Sequence, residues 1–157
     1  MAIKEVINYP NPILRKKAEP VEEVNEEIEQ LVEDMLDTMY ANNGLGIAAP
    51  QIGVSKRVIV CESVVLINPE ITDHSEDKIM ETEGCLSFPG LSVEIERFRT
   101  VTVKGLNLKG KEFEVTVGGR QAICVQHEVD HLNGVVFIDY LSRMRKQMVE
   151  KKMKKRI

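Results

Sequence analysis

The chain has 157 residues, with 21 Lys and Arg against 25 Asp and Glu, a formal net charge of −4 and 43% hydrophobic residues. That is one domain's length, read here as 1–157, with enough apolar chain for a real core, and it excludes a disordered segment and a generally basic nucleic-acid binder. No apolar run approaches the ~20 residues of a membrane-crossing helix, so no membrane partner is expected.

Residues 10–20 carry Pro10, Pro12 and Pro20 around Ile13-Leu14-Arg15-Lys16-Lys17, which predicts an ordered arm with one helical turn. From 25 to 42, Ile28, Leu31, Val32, Met35, Leu36, Met39 and Tyr40 recur at i, i+3, i+4, i+7, i+8, i+11 and i+12, an amphipathic helix. Gly44 is placed to end it. Residues 57–61 and 64–67 are short apolar strands, Val101 and Val103 alternate with Thr, and Phe113, Val115 and Val117 alternate with polar residues. Gly110 supplies a turn between the last two strands. Gly118-Gly119 breaks the pattern before a helix over 120–132, with Ala122, Ile123, Val125 and Val129 facing inward. Ser142 can cap a last helix, 143–155, which carries Met144, Met148 and Met153. The order helix, strands, helix, helix predicts an α+β fold with an antiparallel or mixed sheet.

The three cysteines, Cys61, Cys85 and Cys124, are an odd, sparse set behind an N-terminus with no export pattern. They read as reduced thiols in the cytoplasm.

Three stretches carry chemistry. His127-Glu128-Val129-Asp130-His131 places two imidazoles one helical turn apart on one face, where they can share a metal ion, with Glu128 beside it as a general base. The sheet would then pack around a central metal-binding helix. A catalytic ion needs a third protein ligand and an open position. Cys124 shares the helix face, but an ion held by both histidines sits ~7.5 Å further along the axis at 1.5 Å rise per residue. A thiol cannot span that distance, so Cys124 reads as a small buried neighbour. Cys85, in Glu83-Gly84-Cys85-Leu86-Ser87, is the better candidate, with Gly84 allowing close backbone approach. Cys61 lies in an apolar strand and reads as core.

The third stretch, Gly44-Leu45-Gly46-Ile47-Ala48-Ala49-Pro50-Gln51, opens with the dinucleotide pattern G-x-G-x-x-A. It follows a helix and runs into proline, so it fails the strand-to-helix context which that fingerprint requires. A loop of small residues beside a metal site instead lets a substrate backbone lie against it, and Gln51 offers an amide donor.

His-Glu-x-x-His alone also fits a zinc endopeptidase. A non-catalytic metal domain is the other rival, but a closed site wants four ligands, and Cys61, Cys124 and His74 lack suitable spacing.

In this order, the three stretches resemble the signature motifs of bacterial peptide deformylases. The resemblance extends to the helix before the first motif, to Ile67-Asn68-Pro69-Glu70, and to Leu132-Asn133-Gly134 through Asp139-Tyr140-Leu141, about residues 3–142 in all. It implies removal of formate from the N-formylmethionine of new chains, with Cys85, His127 and His131 as metal ligands and Glu128 as the catalytic carboxylate. It further implies Gln51 and the Leu86 N–H as oxyanion donors, and Gly46 as a neighbour of the substrate. The ion is then one divalent metal, usually Fe²⁺, with Zn²⁺, Ni²⁺ or Co²⁺ able to replace it. A substrate peptide would lie extended between Gly44–Gly46 and Gly84, its methionine in an apolar pocket near Leu45, Ile123, Cys124 and His127. Glu83 and Arg97 would pair to brace the cysteine loop. Residues 61–64 form a shorter connection than is common in the family. Finally, 143–157 forms a basic C-terminal helix, with eight of the 21 basic residues between 143 and 156, and the resemblance implies docking on ribosomal RNA near the emerging chain.

Overall fold

In the computed structural model, which describes residues 2–155, the first amphipathic run forms α1, Glu26–Ala41. Asn25 caps it, its side chain accepting from the Ile28 N–H at 3.2 Å, and three glutamates in the first turn suit the helix dipole. At the other end the residue that turns left-handed is Asn43, with φ 56°, and not Gly44. The Asn43 N–H donates to the Tyr40 carbonyl at 3.2 Å and the Gly44 N–H to that of Met39 at 2.9 Å, the two bonds of a Schellman close. Asparagine tolerates that conformation, so the stop lies one residue earlier than the glycine suggests.

Seven strands follow: β1 Gly46–Ala48, β2 Val58–Cys61, β3 Val64–His74, β4 Lys78–Gly84, β5 Ser92–Phe98, β6 Thr100–Leu106 and β7 Glu112–Gly118. Five form one sheet in the order β1-β2-β3-β6-β7, while β4 and β5 pair only with each other. Every pairing of these strands is antiparallel, so the mixed alternative does not occur among them. β1 lies in the stretch read as a loop. β3 runs well past Ile67, bending through register shifts around Asn68-Pro69 and again before Asp73. Asn68, with φ 53°, turns its side chain to the Val21 backbone, accepting from its N–H at 2.8 Å and donating to its carbonyl at 2.9 Å. The short connection at 61–64 is a tight hairpin in which Cys61 faces Val64.

The apolar run of β2 is explained by burial on both faces. Val58 and Val60 pack with Ile47, Ile67 and the apolar face of α1. Ile59 and Cys61 pack with Leu66, Val101 and Val103 against Ala122, Val125, Val129 and Leu132 of α2, Gly119–Leu132. The far side of α2 meets the β4–β5 hairpin, so the helix is sandwiched. A third apolar cluster under the hairpin joins Tyr9 and Leu14 of the arm to Phe88, Ile95, Phe137 and Ile138. α3, Arg143–Lys154, adds Met153 to that cluster, whereas Met144 and Met148 are exposed. No helix among the described residues is long and apolar enough to cross a membrane.

Candidate metal centre and its cleft

Because α2 is covered on both sides, its polar residues Gln126, His127, Glu128 and His131 are all buried. Burial of that much polarity demands partners. His127 Nδ1 lies 2.8 Å from Glu83 Oε1, which fixes the proton on that nitrogen and leaves Nε2 as the free donor atom. His131 Nε2 lies 3.3 Å from Cys85 Sγ, and its Nδ1 has no partner among the described residues. Cys85 follows directly on β4. One donor atom from each of Cys85, His127 and His131 falls within a mutual 4.8 Å.

One sulfur and two imidazole nitrogens suit a borderline or soft divalent ion. The local electrostatics also favour a cation. Burial, then the Glu128 charge, pushes the Cys85 thiol up, and burial, then His127, pushes His131 down. His131 is thereby held in the neutral form that ligation requires, and a bound cation would offset the penalty on the Cys85 thiolate. The residues fit a metal. Cys124 stands outside this set, with its sulfur packed against Gly46, and Cys61 is core in β2.

Glu128 is buried, and its Oε1 has no hydrogen-bond partner among the described residues. Burial, then the neighbouring Cys124 and Glu83, raises its carboxyl well above the usual range, with Arg97 acting in the opposite sense.

The expected brace is present. Arg97 donates from Nε to Glu83 Oε2 at 2.7 Å and from a terminal nitrogen to Oε1 at 3.0 Å. Burial alone would raise the Glu83 carboxyl, yet the bonds from His127 and Arg97 hold it below the usual range. Sequence reasoning missed two further members. Asp130 Oδ2 accepts from the other terminal nitrogen of Arg97 at 2.7 Å and from the Tyr140 hydroxyl at 2.7 Å. The position of Asp130 three residues after His127 could have signalled it, whereas nothing local marks Tyr140. Burial and the Asp130 bond push the Tyr140 hydroxyl up to about 12, so it stays a donor through neutral pH.

The centre opens on a cleft of about 830 Å³, lined by all six expected substrate residues, Gly44, Leu45, Gly46, Gly84, Ile123 and Cys124, together with Cys85, Leu86, His127 and Glu128. Two of these glycines are also required by the packing of the fold itself. A Cβ on Gly44 would meet Leu86 Cδ1 at 2.9 Å, and one on Gly46 would meet Cys124 Sγ, Glu128 Oε2 and the Val60 carbonyl. Their missing side chains make room for this chain's own atoms. At Gly84 a Cβ would make only an ordinary contact with Leu91 O at 3.8 Å. β1 is an edge strand, so one of its sides is unpaired.

Gln51 does not line the cleft. Its Oε1 accepts from the Ala48 N–H at 2.9 Å, and its amide nitrogen donates to Ser87 Oγ at 3.1 Å and lies 3.6 Å from Cys85 Sγ. The side chain thus stands behind the sulfur with its amide engaged. The Leu86 N–H has no protein acceptor among the described residues.

The polypeptide deformylase family pattern matches residues 3–147. The peptide deformylase of Thermodesulfovibrio yellowstonii is 46% identical over 98% of both chains, and that of Aquifex aeolicus 46% identical over 98% of this chain and 96% of its own. Among solved structures, peptide deformylase from Ehrlichia chaffeensis in complex with actinonin superposes with a TM-score of 0.97 at 39% identity, covering 99% of this chain and 98% of that one. The Legionella pneumophila peptide deformylase gives 0.93 at 44% identity over 98% and 95%. The chain belongs to the polypeptide deformylase family.

Proposed function

We propose that this chain hydrolyses the N-formyl group, as formate, from the N-terminal methionine of new polypeptides, with Cys85, His127 and His131 holding one divalent ion and Glu128 moving the protons. The observation that carries the reading is the buried Glu128 Oε1, without a hydrogen-bond partner among the described residues, together with a sulfur-and-two-imidazole donor set at a cleft. The ion supplies Lewis acidity, bringing water into the range of a nucleophile near neutral pH. Glu128 Oε1 takes the proton of the attacking water and returns it to the leaving nitrogen, a task for which its raised pKa suits it. The Leu86 N–H donates to the developing oxyanion, and such a donor is worth ~3 kcal/mol. Gln51 supports the same charge from behind Cys85, once its amide exchanges the sulfur contact for the oxyanion. The unpaired side of β1 receives the peptide by strand addition, with Gly44, Leu45 and Gly46 on one flank and Gly84 on the other. The methionine side chain enters between Leu45, Ile123 and Cys124.

We assign Fe²⁺ as the working ion, supported by the thiolate and imidazole donors, which also accept Zn²⁺, Ni²⁺ or Co²⁺. The place of action is the cytoplasm, where translation supplies the substrate and three free cysteines stay reduced. The whole chain, 1–157, works as one domain in this reading. Its basic α3 region docks on ribosomal RNA, supported by the exposed Arg143, Arg145, Lys151, Lys152, Lys154 and Lys155.

The test is anaerobic formate release from N-formyl-Met-Ala by the iron-loaded protein, with unformylated peptides as the control for an endopeptidase. Glu128→Ala is expected to keep its metal by elemental analysis and to lose ~100-fold or more in kcat. Loss of metal in that variant would make Glu128 a ligand and overturn its role.

A further inference from the structure

Tyr140 does not line the cleft and is half exposed, yet its hydroxyl and its ring meet the two members of the Arg97–Asp130 ion pair. Arg97, 3% exposed, must satisfy its charge and its N–H donors without water. It grips both oxygens of Glu83 and reaches Asp130 with its remaining terminal nitrogen. Glu83 Oε1 accepts from Arg97 and from His127 Nδ1 together, so the place of Arg97 sets the place of Glu83, and Glu83 sets the ring of His127. Asp130 is the weak member, because its side chain is 22% exposed and water competes for it. Tyr140 touches both members of that pair. Its hydroxyl donates to the same Oδ2 that Arg97 uses, and its ring lies 4.7 Å from the guanidinium carbon.

We infer that Tyr140 is a positioning residue for the metal ligand His127, acting through Asp130 and Arg97. The inference rests on the ligand set proposed above. The hydroxyl keeps Asp130 against Arg97, and Arg97 then presents two N–H groups to Glu83. Glu83 in turn holds His127 with Nε2 toward the ion. Without the hydroxyl, Asp130 turns to water, the guanidinium loosens and the imidazole rocks.

Cobalt(II) is the probe. Tyr140→Phe keeps the ring over Arg97 and removes only the hydroxyl. The Co²⁺-loaded variant is expected to release its ion to a chelator ~10-fold faster than the wild type, in the range known for outer hydrogen-bond partners of metal-bound histidine. Its visible cobalt absorption is expected to shift, with a thermal midpoint within ~4 °C of the wild type. In an Asp130→Ala background the same substitution should add nothing, because the route runs through Asp130. Where Asp130→Ala does not fold, the single variant decides. Unchanged release and spectrum in Tyr140→Phe, or full additivity with Asp130→Ala, would overturn the inference alone. A wild type without a thiolate-to-cobalt absorption band would overturn the ligand set and the inference with it.

Discussion

A methyl group on Gly46 would collide with Cys124 Sγ, with Glu128 Oε2 at 2.9 Å and with the Val60 carbonyl oxygen at 3.0 Å. None of these can give way freely, since one is a buried carboxylate, one a buried thiol and one the backbone of the neighbouring strand. Gly46→Ala is therefore expected to cost ~1–3 kcal/mol, the usual range for overpacking. It should also lower turnover by displacing Glu128. Denaturant melts and formate release measure the two effects, and wild-type values for both would show that the contact is soft. At this scale the sequence was most informative about residue type. His127, His131 and Glu128 suggest their chemistry by identity and spacing, whereas Cys85 stood out only as the better of the cysteine candidates. The partners of the Gln51 amide nitrogen were not legible, because Ser87 and Cys85 meet it only after folding, whereas Ala48, which its oxygen holds, lies three residues before it.

Elements are tied together by contacts that no local pattern announces. Arg15 donates to both oxygens of Asp139 at 2.6 and 3.0 Å, and Lys146 of α3 reaches the same carboxylate at 2.8 Å. This clamp joins the arm, the short helical turn Phe137–Tyr140 and α3 across 124 residues of sequence. Burial opposes ionisation of Asp139, yet the bonds from Arg15 and Lys146 hold its pKa below the ordinary value. A depressed folded pKa means stability that is fully present above the unfolded value of ~3.9 and lost as pH falls through the folded one. Asp139→Asn is therefore expected to be less stable than the wild type at pH 7, with the gap closing as pH falls below ~4. Denaturant midpoints at pH 7 and pH 3 check this, and a constant gap would exclude the linkage. Helices and the regular strands β6 and β7 were legible from periodicity. β1 was not, because three residues carry no period. β3 was legible only over its apolar run 64–67, and its continuation past the irregularity between Ile67 and Glu70 carries no such run. β4 was hidden by its function, since its inward Glu83 serves Arg97 and His127 where a core strand would place an apolar residue.

Across the whole molecule, charge is unevenly spread, with an acidic chain ending in a basic helix. Deleting 144–157 would be a poor test of that tail, because Met153 is 1% exposed and belongs to the core under the hairpin. Reversing Lys151, Lys152 and Lys154 to Glu leaves Met153 in place. The reversed protein is expected to lose co-sedimentation with ribosomes while turning over a formyl-dipeptide at the wild-type rate. Wild-type binding should itself weaken steeply with salt, since each neutralised phosphate releases counterions. Retained binding, or binding indifferent to salt, would remove the docking role.

The β4–β5 hairpin shares no hydrogen-bond ladder with the five-stranded sheet. Beyond its junction with β3 and β6, where His74 stacks on Phe98, its hold on the rest of the molecule runs through α2 and the cluster around Phe88, and Cys85 follows on β4 while both histidines sit on α2. An ion bound by all three therefore acts as a rivet between two units that could otherwise open separately. Amide protons of β4 and β5 are expected to exchange with solvent deuterium faster once the ion is chelated, while those of β2, β3 and β6 keep their protection. The metal that arms the chemistry would then also set the lifetime of the closed cleft wall.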